Sequence, residues 1–207
     1  GYEALSDENP DIIYVSISGF GEEGPFSHKP VYDPIIQALS GLASIQGGSD
    51  DARPRLVRTV LPDKLTAVTA FQAVTAALLA RERTGKGQHV RLSMVDVMAQ
   101  FLWSTDMGGQ TFVGKEVSQQ RAASFIDLIY ETKDGYMSVA IMSDGQWQAM
   151  CHAVGHPEWL EDERFTTPAL RDINVDARLE LTQSVLREKT TQEWFEILDA
   201  AGVPCVP

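Results

Sequence analysis

The chain is predicted to fold as an α/β domain followed by a smaller α+β domain, and three observations carry that expectation. Short β-branched runs alternate with apolar helical stretches up to about residue 103. From residue 125 onward a hairpin pattern is followed by helices alone. Between them, residues 108–120 contain glycine and show no periodicity. The boundary is placed inside that stretch, giving residues 1–113 and 114–207 as the two domains.

Each element has a local cause. Residues 12–19, IIYVSISG, form a β-branched run bounded by Pro10 and a glycine cluster, the pattern of a buried strand. Residues 33–45 read as a helix with Pro34 in its first turn, and residues 46–54 as a Gly/Asp/Ser-rich surface loop. A long helix is expected from Asp63 to about Arg83, ending at Thr84-Gly85. Residues 88–93 make a second strand, and residues 94–103 another apolar helix. Beyond the boundary, strands over 125–130 and 136–141 are joined by Thr132-Lys133-Asp134-Gly135, whose Asp-Gly pair signals a hairpin. Helices follow over 144–154 and 174–189, the latter with Val175, Leu179, Thr182 and Leu186 on one stripe. The last helix opens with Thr190 and Glu193 at capping-box spacing and closes at Gly202 before Pro204. Trp147, Trp159 and Trp194 fall within helical patterns and are expected in the core.

With 207 residues and 43% hydrophobic content the chain can bury a core. A formal net charge of −12 excludes a phosphate backbone as partner, so no nucleic acid is expected. Cationic density is confined to Arg81-Glu82-Arg83 through Lys86, which reads as a solvated helix end, with a phosphorylated small molecule as the alternative. Cys151 and Cys205 lie far apart without a CxxC partner, pointing to a reducing, cytoplasmic compartment and to no zinc site. Residues 65–80 carry no charge, yet Thr66, Thr69, Gln72 and Thr75 make the run too polar and too short for a bilayer, so no membrane partner is expected. A two-stranded sheet cannot cover a helix this apolar, and much of it is expected to need partners outside this chain. Gly1 rather than Met at the start suggests a fragment or a processed chain.

Several motifs fail on chemistry. Gly19-Phe20-Gly21-Glu22-Glu23-Gly24 matches GxGxxG after a strand, but Pro25 and Pro30 prevent the required helix and Glu22-Glu23 would repel a pyrophosphate. A glycine turn at the carboxyl end of a strand remains a plausible binding edge. Lys86 lacks the remaining signature of a phosphate-binding loop. His28, His89, His152 and His156 show no ligand spacing, so no metal is expected. There is no GxSxG elbow, and Cys151 has no obvious activating neighbour. Asp63 stands out: it follows Pro62 at the mouth of the long helix, where the dipole and free N–H groups favour an ionised carboxylate. That address suits a nucleophile, and equally an ordinary capping aspartate.

The run Asn9-Pro10-Asp11-Ile12-Ile13-Tyr14-Val15-Ser16-Ile17-Ser18-Gly19-Phe20-Gly21, then Gly24-Pro25, Tyr32-Asp33 and Gln37-Ala38-Leu39-Ser40-Gly41-Leu42, closely resembles the class III CoA-transferase (CaiB/BaiF) family. Asp63, the block from Ala76 through Gln88, the Lys133-Asp134-Gly135 hairpin and the closing Ala201-Gly202-Val203-Pro204-Cys205 follow in the family's order. The resemblance implies that the first domain is part of a Rossmann-like α/β large domain. It also implies an acyl-CoA:carboxylate CoA-transferase in which Asp63 attacks the thioester, forming an anhydride and then an aspartyl-CoA thioester. CoA enters as a substrate, with no permanently bound cofactor, and a small carboxylic acid is the second partner. Contacts to CoA are implied at Gly19, Gly21, Pro30, Val31, Tyr32 and Asp33, and Lys29 could meet a CoA phosphate.

The racemase branch of the family reads Gly-His-Asp where this chain has Val31-Tyr32-Asp33. Tyr32 favours the transferase over a 2-methylacyl-CoA racemase, because a phenol titrating near about 10 is a poor base at neutral pH. The chain departs from the formyl-transferring branch, whose extended glycine-rich loop is replaced at the matching place by Gln119-Gln120-Arg121-Ala122-Ala123-Ser124. Family members are about twice as long and form interlocked homodimers, so a non-catalytic fragment of the parent enzyme is the further alternative.

Overall fold

A computed structural model describes residues 1–47, 52–106 and 128–207. Two compact units result, Gly1–Ile126 and Asp127–Pro207. The boundary expected near residue 113, the segment 119–124 and the start of the strand expected at 125 all lie outside the described residues.

The first unit opens with α1 (Tyr2–Glu8) and β1 (Ile13–Ser18), the latter pairing in parallel with β2 (Gln88–Ser93) from Ile13↔Gln88 to Ser18↔Ser93. Gly87 permits the approach, since a Cβ there would sit 2.1 Å from the Ile12 carbonyl oxygen. Residues 33–45 are not one helix but two, α2 (Asp33–Leu39) and α3 (Leu42–Ile45). Gly41 between them takes φ 89°, a left-handed conformation that ends one helix and re-aims the next.

The long helix α4 spans Leu61–Thr84 and therefore starts ahead of Asp63. Pro62 sits in its first turn, where no N–H is required, and Gly85 at φ 68° closes it by donating to the Arg81 carbonyl. Helix α5 follows over Met94–Asp106. Among the described residues, Ile36, Leu42, Met98 and Leu102 form a buried core in this unit, with Val31, Leu61 and Leu65 against it. Much of α4 stays uncovered as its composition leads one to expect, with Val68, Phe71, Leu78 and Leu79 exposed.

The second unit is built on an antiparallel sheet in the order β3 (Ile129–Glu131), β4 (Tyr136–Val139) and β5 (Cys205–Val206). The predicted hairpin is present, closed by Thr132 N–H donating to the Gly135 carbonyl at 2.9 Å. Strand β5, a two-residue edge unforeseen in the sequence, pairs Cys205 with Val139. Helices α6 (Asp144–Ala153), α7 (Pro168–Ile173), α8 (Val175–Leu186) and α9 (Thr191–Ala200), with a 3-10 turn at Pro157–Leu160, complete it. Both α6 and α9 carry complete capping boxes, Ser143 with Gln146 and Thr190 with Glu193. Trp147, Trp159 and Trp194 join Phe165, Leu186 and Leu198 in one core. Among the described residues no helix is long and apolar enough to cross a membrane, and no cluster of three or more His, Cys, Asp or Glu is placed to hold a metal ion.

Candidate active site

The glycine turn after β1 owes its shape to packing. A Cβ on Gly19 would lie 1.9 Å from Cγ1 of Val31, so only glycine lets the loop fold back with Val31 against it. Gly19 also accepts a hydrogen bond from the Val95 N–H at 3.1 Å, fixing the loop to the start of α5. Gly21 takes φ 88° and donates its N–H to Ser18 Oγ at 3.0 Å. No helix follows Gly24; the next begins at Asp33, which removes the dinucleotide reading of GxGxxG.

By folding back, the loop delivers residues 29–33 to the head of α2. Lys29 is exposed and holds its ammonium 4.0 Å from the Phe26 ring centroid, while Pro30 is exposed beside it. Tyr32 is the extended N-cap residue of α2, with its side chain 80% exposed. Asp33 behaves oppositely and is buried. Its Oδ2 accepts the backbone N–H of Asp63 at 3.2 Å, and its Oδ1 accepts from Gln37 Nε2 at 2.6 Å.

That bond answers a deficiency in α4. Its N-cap is Val60, which has no side-chain acceptor, so the first-turn N–H groups need a partner from elsewhere. Asp33 supplies one across thirty residues of sequence. Asp63 itself is not the cap: its side chain is exposed, and its carboxylate makes no hydrogen bond or ion pair among the described residues. Thr66, one turn further on, is buried with a hydroxyl that has no hydrogen-bond partner among the described residues.

The site residues expected from sequence therefore fall into groups. Val31, Tyr32, Asp33 and Asp63 are brought together through Asp33, and Gly19 is their packing support. Gly21 instead lines an open cleft of about 480 Å³ with Ser16, Ser18, Glu22, Arg91 and Asp96, beyond the carboxyl ends of β1 and β2. Neither Asp63 nor residues 29–33 line it, and Glu22 there is paired with Arg91 at 3.1 Å. Sequence reasoning missed Gln37, although its spacing of four from Asp33 on one helix was a usable signal. Cys151 has no part in this chemistry: it is fully buried, and burial pushes its thiol up to about 11.

A sequence model of CoA-transferase family III matches residues 1–207. The acetyl-CoA:oxalate CoA-transferase of Acetobacter aceti is 34% identical, covering 100% of this chain and 54% of the relative. The succinyl-CoA:glutarate CoA-transferase of Mus musculus is 30% identical, covering 100% and 48%. Among solved structures, a CAIB/BAIF family protein from Brucella suis aligns with a TM-score of 0.79 at 31% identity, over 100% of this chain and 55% of that one. A hypothetical protein from Mycobacterium tuberculosis aligns at 0.84 and 27%, over 100% and 55%. The chain spans about half the length of the curated relatives it matches.

Proposed function

Because this chain belongs to CoA-transferase family III, we propose that the protein it forms part of is an acyl-CoA:carboxylate CoA-transferase with Asp63 as its nucleophile. The observation that carries the assignment is the disposition of Asp63. Its backbone is held at the head of α4 by a buried carboxylate, while its own carboxylate is exposed and engaged by no neighbour among the described residues. A nucleophile needs that combination of fixed backbone and unencumbered oxygen.

In the proposed cycle an Asp63 oxygen attacks the donor thioester carbonyl, the C–S bond breaks, and CoA leaves as thiolate. The resulting mixed anhydride is attacked by that thiolate at the aspartyl carbonyl, freeing the donor acid and leaving an aspartyl-CoA thioester. The acceptor carboxylate then attacks the aspartyl carbonyl and releases the thiolate, which takes the acceptor acyl group and restores Asp63. Dividing the exchange into several covalent steps lowers the barrier that each must cross.

CoA is proposed to lie along residues 19–33, with exposed Tyr32 toward the acyl end and Lys29 toward a phosphate. The substrates are an acyl-CoA and a small carboxylic acid, the working form is a homodimer of the full-length protein, and the compartment is cytoplasmic. Two free cysteines, one of them fully buried, accord with a reducing environment. To test the assignment, the full-length protein is incubated with acyl-CoA and quenched with hydroxylamine, and its peptides are mapped by mass spectrometry. Modification at Asp63 and loss of turnover in Asp63→Ala are expected. An unmodified Asp63, or full turnover in Asp63→Ala, rejects the mechanism.

A further inference from the structure

We propose that Gln37 acts, through Asp33, as a positioning residue for Asp63; this rests on the reading of Asp63 as the nucleophile. Gln37 and Asp33 are 2% and 4% exposed, so their polar atoms must find partners inside the protein. They find them on the path into α4. Gln37 Nε2 donates to Asp33 Oδ1 at 2.6 Å and to the Thr59 carbonyl at 3.1 Å, with the Val57 carbonyl at 3.4 Å. Gln37 Oε1 accepts the Val57 N–H at 2.8 Å. Since the amide nitrogen has two hydrogens, one serves Asp33 and the other is shared by the two carbonyls.

One buried amide thus fixes both sides of the approach to the helix. It clasps residues 57–59, which belong to no helix or strand and lead directly to Val60 and Leu61. It also orients the Asp33 carboxylate, whose second oxygen holds the Asp63 N–H. Apolar packing of Leu61 and Leu65 against the core sets how deep α4 lies, but hydrophobic contact is non-directional and leaves its first turn free to rotate or slide. The directional bonds remove that freedom. Loss of Gln37 would release the segment and the Asp33 side chain together, and a shift of about 1 Å at a nucleophile can cost about 100-fold in rate.

The test uses the full-length protein and four variants: Gln37→Met, Asp33→Asn, the double variant of these two, and Asp63→Ala. Steady-state kcat and KM for acyl-CoA are measured together with the single-turnover rate of hydroxylamine-trapped modification at Asp63 and the melting temperature. Gln37→Met keeps the length of the side chain and removes its hydrogen bonds. It should lower kcat and the modification rate by about 10- to 100-fold with KM for acyl-CoA unchanged. The double variant Gln37→Met/Asp33→Asn should fall no further than the worse single one, because both act through one network. A folded Gln37→Met that modifies Asp63 at the normal rate, or that raises KM with kcat intact, overturns the proposal.

If Gln37→Met does not fold, Asp33→Asn decides. Whichever way the new amide turns, its NH2 faces either the Gln37 amide or the Asp63 N–H, so one bond is lost at constant volume. The same fall in kcat supports positioning, and a normal kcat overturns it. Asp63→Ala separates the two layers of argument. Full turnover there removes the nucleophile, whereas an inactive Asp63→Ala beside an unimpaired Gln37→Met removes only the role of Gln37.

Discussion

The two units of the chain solve the problem of a hydrophobic core in opposite ways. In Asp127–Pro207, Trp147, Phe165, Leu186, Trp194 and Leu198 are all essentially inaccessible and belong to a single cluster. In Gly1–Ile126 the buried cluster among the described residues is Ile36, Leu42, Met98 and Leu102, while Phe71, Val68, Leu79 and Ile17 face solvent. The difference lies in secondary structure as much as in composition. Among the described residues, the second unit folds four helices and a 3-10 turn around a three-stranded sheet, whereas the first asks two parallel strands to serve a helix of 24 residues. Parallel strands and apolar helices normally need cover on more than one face. The candidate nucleophile sits on that same incompletely covered helix, so the self-sufficient unit is not the one that carries the proposed chemistry.

The largest expected effect tests this contrast through paired truncations of large aromatic side chains. Trp194 is 1% exposed and donates its indole N–H to the Leu186 carbonyl at 2.9 Å. Trp194→Ala should destabilise the second unit by about 3–5 kcal/mol, from lost burial and the cavity left behind. Phe71, 73% exposed on α4, has almost nothing to lose within this chain, and Phe71→Ala should stay within about 0.5 kcal/mol. Chemical denaturation of each variant of this 207-residue chain measures both. If Phe71→Ala costs as much as Trp194→Ala, the face of α4 is covered in solution and the contrast fails.

A smaller effect concerns how helices begin. In the second unit the caps are local: Thr190 Oγ accepts from the Glu193 N–H, and Glu193 returns the bond to the Thr190 N–H at 2.9 Å. Thr190→Ala should therefore cost about 1 kcal/mol. Val60 caps nothing on α4, so Val60→Ala should cost no hydrogen bond at that helix end. Denaturation midpoints of the two variants compare a helix end capped by its own N-cap side chain with one whose N-cap side chain bonds nothing; equal losses would show that Val60 contributes through packing instead.

The same distinction between local and remote decides what the sequence reveals. Strands β1 and β2, the hairpin at 132–135 and the capping box of α9 all rest on residues within a few positions of each other, and each is found where the pattern places it. The Gly85 stop of α4 is legible for the same reason. Strand β5 is not, because two residues become a strand only by pairing with β4. The break at Gly41 escapes a reading of helical periodicity because Leu42 and Ile36 still belong to one buried cluster across it. At the site, Asp63 announces itself through Pro62 and the uncharged helix. Its connection to Asp33 joins residues thirty apart and could be seen only once α2 and α4 were placed side by side.

The smallest expected effect lies in the acid response of the second unit, and its sign follows from the direction of the shifts. The Thr191 backbone N–H, above all, holds the Asp134 carboxyl below its ordinary range, with the Thr191 and Thr132 hydroxyls adding to it. The Thr190 backbone N–H does the same for Glu193, and the Thr190 hydroxyl contributes. A carboxyl whose folded pKa is depressed contributes stability that is complete above its unfolded value, near about 4, and disappears as pH falls through the folded value. Both groups are fully exposed, so solvent screens them and the individual effects are small. Asp134 nonetheless ties the hairpin turn to the first turn of α9, through Thr191 N–H at 2.8 Å and Thr191 Oγ at 3.0 Å. Asp134→Asn should therefore be less stable than the parent at neutral pH, with the gap closing as pH drops below about 4. Urea midpoints followed by the fluorescence of buried Trp147 and Trp194 measure that gap across the acid range. A difference that stays constant down to about pH 2 would mean the turn is held by shape rather than by charge-assisted bonding.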